Sequence, residues 1–392
     1  MVDQLAKART LQAEFVGLRR DIHQHPELGF EEIRTAGIVA KYLQSLGLEV
    51  TTMVGGPGVV GLLRGDLPGK TVALRADMDA LPVPEQSGVE YASTVPGKMH
   101  ACGHDGHTAI LLGVARLLSG IREQIPGNVK FFFQHAEEGP GGARPMIEAG
   151  AMDNPRVDGI LALHLGNDLP TGTIGLVAGA STASSDSFEL TIAGKGGHGA
   201  HPHKSIDAIA AAGHVIVALQ TIISREIDPL GAAVVTIGTI NGGYRRNVIA
   251  DQVIMTGTVR TIDQAVQQAI PGQIERIIQG VCGALRCQYQ FIYNYGVPSV
   301  VNALEMTDLV EGVAKRVLGE QNVFRGNKPT MGGEDFSFFA QRAPGVMFSL
   351  GAGNPAKGCD FPIHHPRFNF DEDAIPVGMA ILAESALEFL CR

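Results

Sequence analysis

Short apolar runs rich in β-branched residues alternate with stretches of helical periodicity through the first 180 residues, and that alternation confines the chain to an α/β layer architecture. The runs begin with GVVGLLRG and KTVALRADMD. After a helix over 107–118 come VKFFFQHAEE (129–138), a helix over 142–150 and GILALHLG (159–166). Two helices precede them, over 3–20 and 31–46, flanking HQHPELGFEE and closed by Gly47 as a C-cap. Beyond Ala180 the pattern changes to SFELTIAGK, a helix over 205–224, AAVVTIGTI, QVIMTGTVRT, a helix over 262–285 that Pro271 interrupts or splits, and QYQFIYNYG. That order, βαββαβ, is the ferredoxin-like arrangement and is large enough to fold as its own domain. A helix over 306–319, the strand GVMFSLG and a final helix from about 373 return to the first pattern. The expected organisation is therefore one α/β domain from 1–180 and 296–392, with a ferredoxin-like satellite domain inserted at 181–295.

Composition narrows what such a chain does. Hydrophobic residues at 45% and charged residues at 18% exclude a disordered chain. A formal charge of −9 with no basic block excludes a nucleic-acid footprint. The most apolar stretch, 208–223, reads as too short to span a membrane, and MVDQLAKARTLQAEF has no signal-peptide core. Five cysteines (Cys102, Cys282, Cys287, Cys359, Cys391) are too few and odd in number for a disulfide framework, which points to the reducing cytoplasm.

The chemistry concentrates around histidine. Of 13 histidines, all but His214 fall in short neighbourhoods; His23, His25, His107, His203 and His214 read best as structural. In MHACGHDGHTA, Cys102 and His104 can converge on one ion only from an irregular turn, which Gly103 permits. The plainer alternative is a helix start capped by Asp105 with Cys102 buried as a small hydrophobe. Three apolar strands end in ligand-type groups: Asp77 and Asp79 after KTVALRA, Glu137 and Glu138 after VKFFFQHA, and His164 in GILALHLG. Ligands of open α/β sheets bind outside the carboxyl ends of strands, so three strands delivering such groups to one edge form a constellation. Metal-assisted hydrolysis needs one carboxylate as ligand and another to accept a proton, and adjacent glutamates face opposite ways along a strand. Which of the two does which is open from spacing alone. IHHPRF, with His364 and His365, joins such a site only through the fold.

Together these segments resemble the M20 metallopeptidases, in the amidohydrolase branch of hippurate hydrolases, N-acyl-amino-acid deacylases and auxin-conjugate hydrolases. HQHPELGFEE, LRADMDALP, MHACGHDGHTA, AEEGPGGA, LHLG, GKGGHGAHPH, NVIA, GTVRT, MGGEDF and HHPRF occur in family order across nearly the whole chain. The resemblance implies a zinc-peptidase-like catalytic domain and a satellite domain used for dimerisation or as a lid. It also implies a centre of two divalent ions (Mn, Zn, Co or Ni) held by Cys102, His104, Glu138, His164 and His364. Glu137 matches the general acid/base acting on a metal-bound water, and Asp79 matches the acid beside the ligands. His198 matches the histidine that reaches a partner's active site in related dimers, while Asn247 and Arg260 match substrate-contacting positions. Arginine suits a substrate carboxylate because its planar fork binds it in two places.

The implied activity is metal-dependent hydrolysis of the amide of N-acetyl, N-benzoyl or related N-acyl L-amino acids, by a homodimer or higher oligomer without nucleic-acid or membrane partners. The alternatives are an M20-type dipeptidase or carboxypeptidase, a non-catalytic scaffold, or a thiol enzyme using Cys102 with His104. The chain departs from the family at His135, where proline is usual, at Ala250 of NVIA, and at Arg245 and Arg246, where small residues are common. Those cationic groups would favour a substrate with a second anionic group.

Overall fold

The computed structural model describes residues 3–326 and 328–392. The chain divides into two compact units. One holds the residues up to Gly179 with Val301–Lys328 and Asp335–Arg392; the other holds Ala180–Val300 with Pro329–Glu334.

The first unit is built on an eight-stranded mixed sheet. Its strands β1 (Glu49–Thr52), β2 (Val59–Arg64), β3 (Leu67–Asp77), β4 (Pro126–Gln134) and β5 (Gly159–Pro170) run in the order β1-β2-β4-β3-β5, followed by Gly345–Gly353, Ile174–Val177 and Val323–Gly326. β3 is parallel to both β4 and β5, and Gly345–Gly353 is parallel to β5, so the centre of the sheet is four parallel strands. Strands buried on both faces must be apolar nearly throughout, which is why VKFFF and GILAL lack the alternation of a half-exposed strand.

Helices α1 (Gln4–Gln24), α2 (Ile33–Ser45) and α3 (His104–Ser119), the helix Leu304–Leu318 and the C-terminal helix Ala374–Leu390 pack their apolar faces into this core. Asp3 caps α1 by accepting from Ala6 N at 3.0 Å. α3 is buried almost all round and lets its neighbours close in at glycine: a Cβ on Gly113 would lie 2.6 Å from Met379 Sδ.

Parallel neighbours share a carboxyl edge, and the register makes this specific. Asp77 lies opposite Gln134, so the chain leaving β3 through Asp79 runs beside the chain leaving β4 through Glu138. His164 lies opposite Ser349 farther across the sheet.

The second unit has the βαββαβ order: Ser185–Ala193, helix Ala208–Thr221, Ala233–Gly242, Gln252–Thr261, helix Gln264–Ala284 and Gln288–Val297. The four strands form an antiparallel sheet whose central pair is Gln252–Thr261 and Ser185–Ala193, leaving the other two at the edges. Asp186, Phe188, Leu190 and Ile192 alternate inward along the first strand. Each helix starts where an aspartate caps it: Asp207 accepts from Ile209 N and Ala210 N, and Asp263 from Ala265 N and Val266 N.

Two expectations need correction here. Pro271 neither interrupts nor splits its helix, which runs unbroken because Ile270, Ile274, Ile278 and Cys282 are buried along one face and outweigh one lost backbone hydrogen bond. The apolar stretch 208–223, read as too short to span a membrane, also belongs to a helix that outlasts it. It continues as a π-turn over Ile222–Glu226, giving Ala208–Glu226 19 residues at mean hydropathy 1.5, which by length and composition alone would reach across a membrane. Its face of Ala208, Ala211, Ala212, Val215, Leu219 and Ile222 is instead buried within the unit.

Candidate metal centre and active site

The Cys102–His104 turn is irregular, with Gly103 at φ +90° heading α3. A left-handed residue there folds the thiol and the imidazole toward the same point. Asp105 does not cap the helix. It is fully buried and bonded to Arg19 Nε and His23 Nδ1, each at 2.7 Å.

His104 is held from behind. Its Nδ1 lies 3.0 Å from both the carbonyl oxygen and Oδ1 of Asp79, so in the neutral imidazole Nδ1 carries the proton and Nε2 has the lone pair. His164 is arranged alike, its Nδ1 donating to Leu165 O at 2.7 Å while Nε2 stands 3.5 Å from Cys102 Sγ. The remaining Asp79 oxygen accepts from Glu138 N at 2.9 Å, so one side chain orients two neighbours. His364 adopts φ +66° and is tied by its own N–H to Ala101 O at 2.7 Å, beside the Cys102 turn. Its Nε2 lies 2.9 Å from Glu138 Oε1, off the line of a hydrogen bond.

These placements bring seven sequence-selected residues of the first unit together. Ligand atoms of Cys102, His104 and His164 lie within 4.8 Å of one another, as do those of Cys102, Glu138 and His364, and those of His104, Glu137 and Glu138. Cys102 belongs to the first two groups and so joins them.

The arrangement fits divalent ions. Buried His104 Nε2 and Glu138 Oε1 make no hydrogen bond among the described residues, and mixed sulfur, nitrogen and oxygen donors suit first-row transition metals. Burial pushes the Cys102 thiol well above its ordinary pKa, with His104 pulling the other way. For His104, burial works downward but Asp77 and Cys102 outweigh it, and the net shift is well upward. Glu138 ends below the ordinary carboxylate range because His364 and His104 overcome its burial.

Two supports of the site were not visible as such in the motifs. Asp77 ends β3, accepts from Arg75 Nη1 at 2.7 Å and lies 2.6 Å from His107 Nδ1. His107 Nε2 in turn accepts from Leu165 N at 2.8 Å, next to His164. Its structural role is therefore to lock β3, α3 and β5 together behind His104 and His164. Arg75 is 2% exposed and also bonds Gln134 Oε1 at 2.9 Å and Asp335 Oδ1 at 3.2 Å. An arginine in the middle of an apolar strand was the one available signal.

The other sequence-selected residues lie in the second unit. Gly197–His198 pairs antiparallel with Val248–Ile249, His198 opposite Val248, and Gly199 N donates to Asn247 O at 2.9 Å, so His198 and Asn247 are neighbours. Ala200 N donates to His198 Nδ1 at 3.1 Å, which puts the imidazole proton on exposed Nε2 as a donor. Arg245 and Arg246 are exposed in the same loop, whereas half-buried Arg260 lies on Gln252–Thr261, opposite Val234.

Residues 73–388 match peptidase family M20/M25/M40. The chain is 43% identical over 379 residues to thermostable carboxypeptidase 2 of Saccharolobus solfataricus, covering 95% of each. It is 40% identical over 380 residues to the N-acetylcysteine deacetylase of Bacillus subtilis, covering 97% of each. Its fold matches the crystal structure of the Bacillus subtilis YXEP protein, a dinuclear metal-binding peptidase from the M20 family, with TM-score 0.85 and 37% identity over 97% of this chain and 99% of that one.

Proposed function

The chain belongs to peptidase family M20/M25/M40, and from that premise we propose that it hydrolyses the amide bond of N-acyl L-amino acids, releasing a carboxylate and the free amino acid. The observation that carries this reading is the convergence of Cys102, His104, Glu138, His164 and His364 on one edge of the sheet, with Glu137 among them.

In this reading those five residues hold two divalent ions, Mn, Zn, Co or Ni. When bound, the ions polarise the scissile carbonyl and acidify water. Glu137 takes the proton from the attacking water and delivers it to the departing amine. Asp79 keeps His104 in the tautomer that presents Nε2 and fixes the backbone of Glu138. His198 donates from Nε2 to the carbonyl oxygen as negative charge develops there. Asn247 and Arg260 bind the substrate, the arginine at its carboxylate.

The second unit is the proposed dimerisation domain, because its edge strands carry exposed Val234, Ile240 and Ile292. His198 then serves the partner's site. Five free cysteines accord with a cytoplasmic enzyme.

The test is amino-acid release from a panel of N-acetyl and N-benzoyl amino acids, comparing chelator-stripped protein with protein resupplied with Mn²⁺, Zn²⁺ or Co²⁺. Metal-restored release supports the reading. Silence on the panel with turnover of peptides would shift the assignment to a carboxypeptidase, the activity named for a 43%-identical relative.

A further inference from the structure

The segment HPELGFEE packs directly under the loop that carries Glu137. Ala80 N donates to Glu27 O at 2.8 Å, and Leu28 bridges Ala80, so the segment is fastened where β3 ends beside Asp79. It then turns against the exit of β4 with no room for a side chain: a Cβ on Gly29 would lie 2.6 Å from Gly139 O and 2.9 Å from Ala136 Cβ. At the end of this turn Glu32, fully buried, directs Oε1 at Ala136 N and accepts from it at 2.7 Å.

Ala136 is the residue on which the β4 exit pivots. It has φ +53°, a left-handed conformation that a residue with a Cβ adopts only where its surroundings impose it. Both of its backbone groups are engaged: the N–H by Glu32 and the carbonyl by Gly141 N at 3.0 Å. The next residue is Glu137, so relaxation of this turn moves it, whereas Glu138 is held separately through its N–H to Asp79 Oδ2 and its carboxylate beside His364.

We propose that Glu32 is a positioning residue for the reaction: its buried oxygen pins the Ala136 amide and so holds Glu137 at the angle from which it handles the proton of the attacking water. This rests on the role given to Glu137 above. Burial pushes the Glu32 pKa up to about 8, helped by nearby Asp79 and Glu27.

The experiment compares Glu32→Gln, which keeps an acceptor oxygen, with Glu32→Met, which fills the same volume without one, both loaded with metal and assayed on an N-acetyl amino acid beside Glu137→Ala. Glu32→Met should lower kcat by ~10- to 10²-fold, the order expected for a small misplacement of a reacting group, with KM and bound metal unchanged. Glu32→Gln should stay within about threefold of wild type, well short of that misplacement penalty. Adding Ala136→Gly to Glu32→Met should recover part of the loss, because glycine takes positive φ without the Cβ penalty. Full kcat in Glu32→Met, loss of metal together with kcat, failure of Glu32→Met to fold, or a Glu32→Gln as slow as Glu32→Met would each overturn the positioning role. Undiminished turnover in Glu137→Ala would instead refute the reading of Glu137 itself, and the two failures are read from different variants.

Discussion

Replacing Asp79 by alanine should loosen the metal centre without touching any ligand. Asp79 Oδ1 accepts from His104 Nδ1 at 3.0 Å and Oδ2 from Glu138 N at 2.9 Å, and the side chain is 1% exposed. Each donor left unsatisfied in a buried site costs about 1–3 kcal/mol, and about 1.4 kcal/mol is a factor of ten in affinity. Groups that orient ligating imidazoles are worth ~10- to 100-fold in metal affinity. Since Asp79 orients two of the proposed ligands, the upper end applies, and Asp79→Ala should weaken binding by ~10²-fold. Asp79→Asn should recover part of this, because its amide oxygen can face His104 while its NH₂ then opposes the Glu138 N–H, donor against donor. The assay is competition with a chelator of known affinity, using stripped protein and Zn²⁺ or Mn²⁺, with thermal unfolding to show the fold is intact. An Asp79→Ala protein that binds metal within about twofold of wild type would refute the reasoning, since this orienting effect is usually far larger.

Asp105→Asn should lower stability by ~1–3 kcal/mol in denaturant unfolding, because it removes the fully buried carboxylate on Arg19 Nε and leaves Arg19, among the described residues, with Glu372 alone as its acidic partner, at 3.2 Å; an unchanged midpoint would contradict this. Burial acts to raise the Asp105 pKa, but Arg19 and His23 hold it far below the usual carboxylate range. The unfolded state therefore takes up the proton first, and the stabilisation is complete above pH ~4 and fades as pH falls below it. Wild type should accordingly lose more stability than Asp105→Asn on acidification, and parallel pH profiles would argue against it. Because burial holds the Cys102 thiol up, metal uptake should release a proton and affinity should rise with pH; calorimetry in buffers of different ionisation enthalpy would detect it, and no difference between wild type and Cys102→Ser would exclude thiolate ligation. Replacing Arg245 and Arg246 by alanine should cut kcat/KM for N-acetyl-glutamate ~3- to 5-fold more than for N-acetyl-methionine, the scale of an exposed ion pair, and equal effects on both would remove the two arginines from substrate choice.

The convergence of the candidate site was legible because it follows from strand direction. Asp79, Glu137, Glu138 and His164 each follow or end an apolar run, and parallel neighbours put such ends on one edge. Roles were less legible than positions. Asp77 and Asp79 looked equivalent by spacing, yet one closes a network through Arg75 and His107 while the other faces His104 and Glu138. Which carboxylate meets which partner depends on where β3 stops, a boundary that periodicity does not resolve. Asp105 lies 86 residues from Arg19 and 82 from His23, and only the packing of α1 on α3 brings the three together and buries them. Glu32 was hidden for a similar reason: its partner is a backbone N–H 104 residues away, and backbone groups leave no mark in a sequence. Pro271 misled because local propensity ignores the buried isoleucines that hold its helix straight through it.

The central claim is that Glu137 moves the proton. The direct measurement is kcat for Glu137→Ala on an N-acetyl amino acid, with metal content determined on the same sample. The account predicts metal bound as in wild type and kcat reduced by at least ~10²- to 10⁴-fold, the usual contribution of general acid/base catalysis. Near-normal turnover with the metals in place would contradict it.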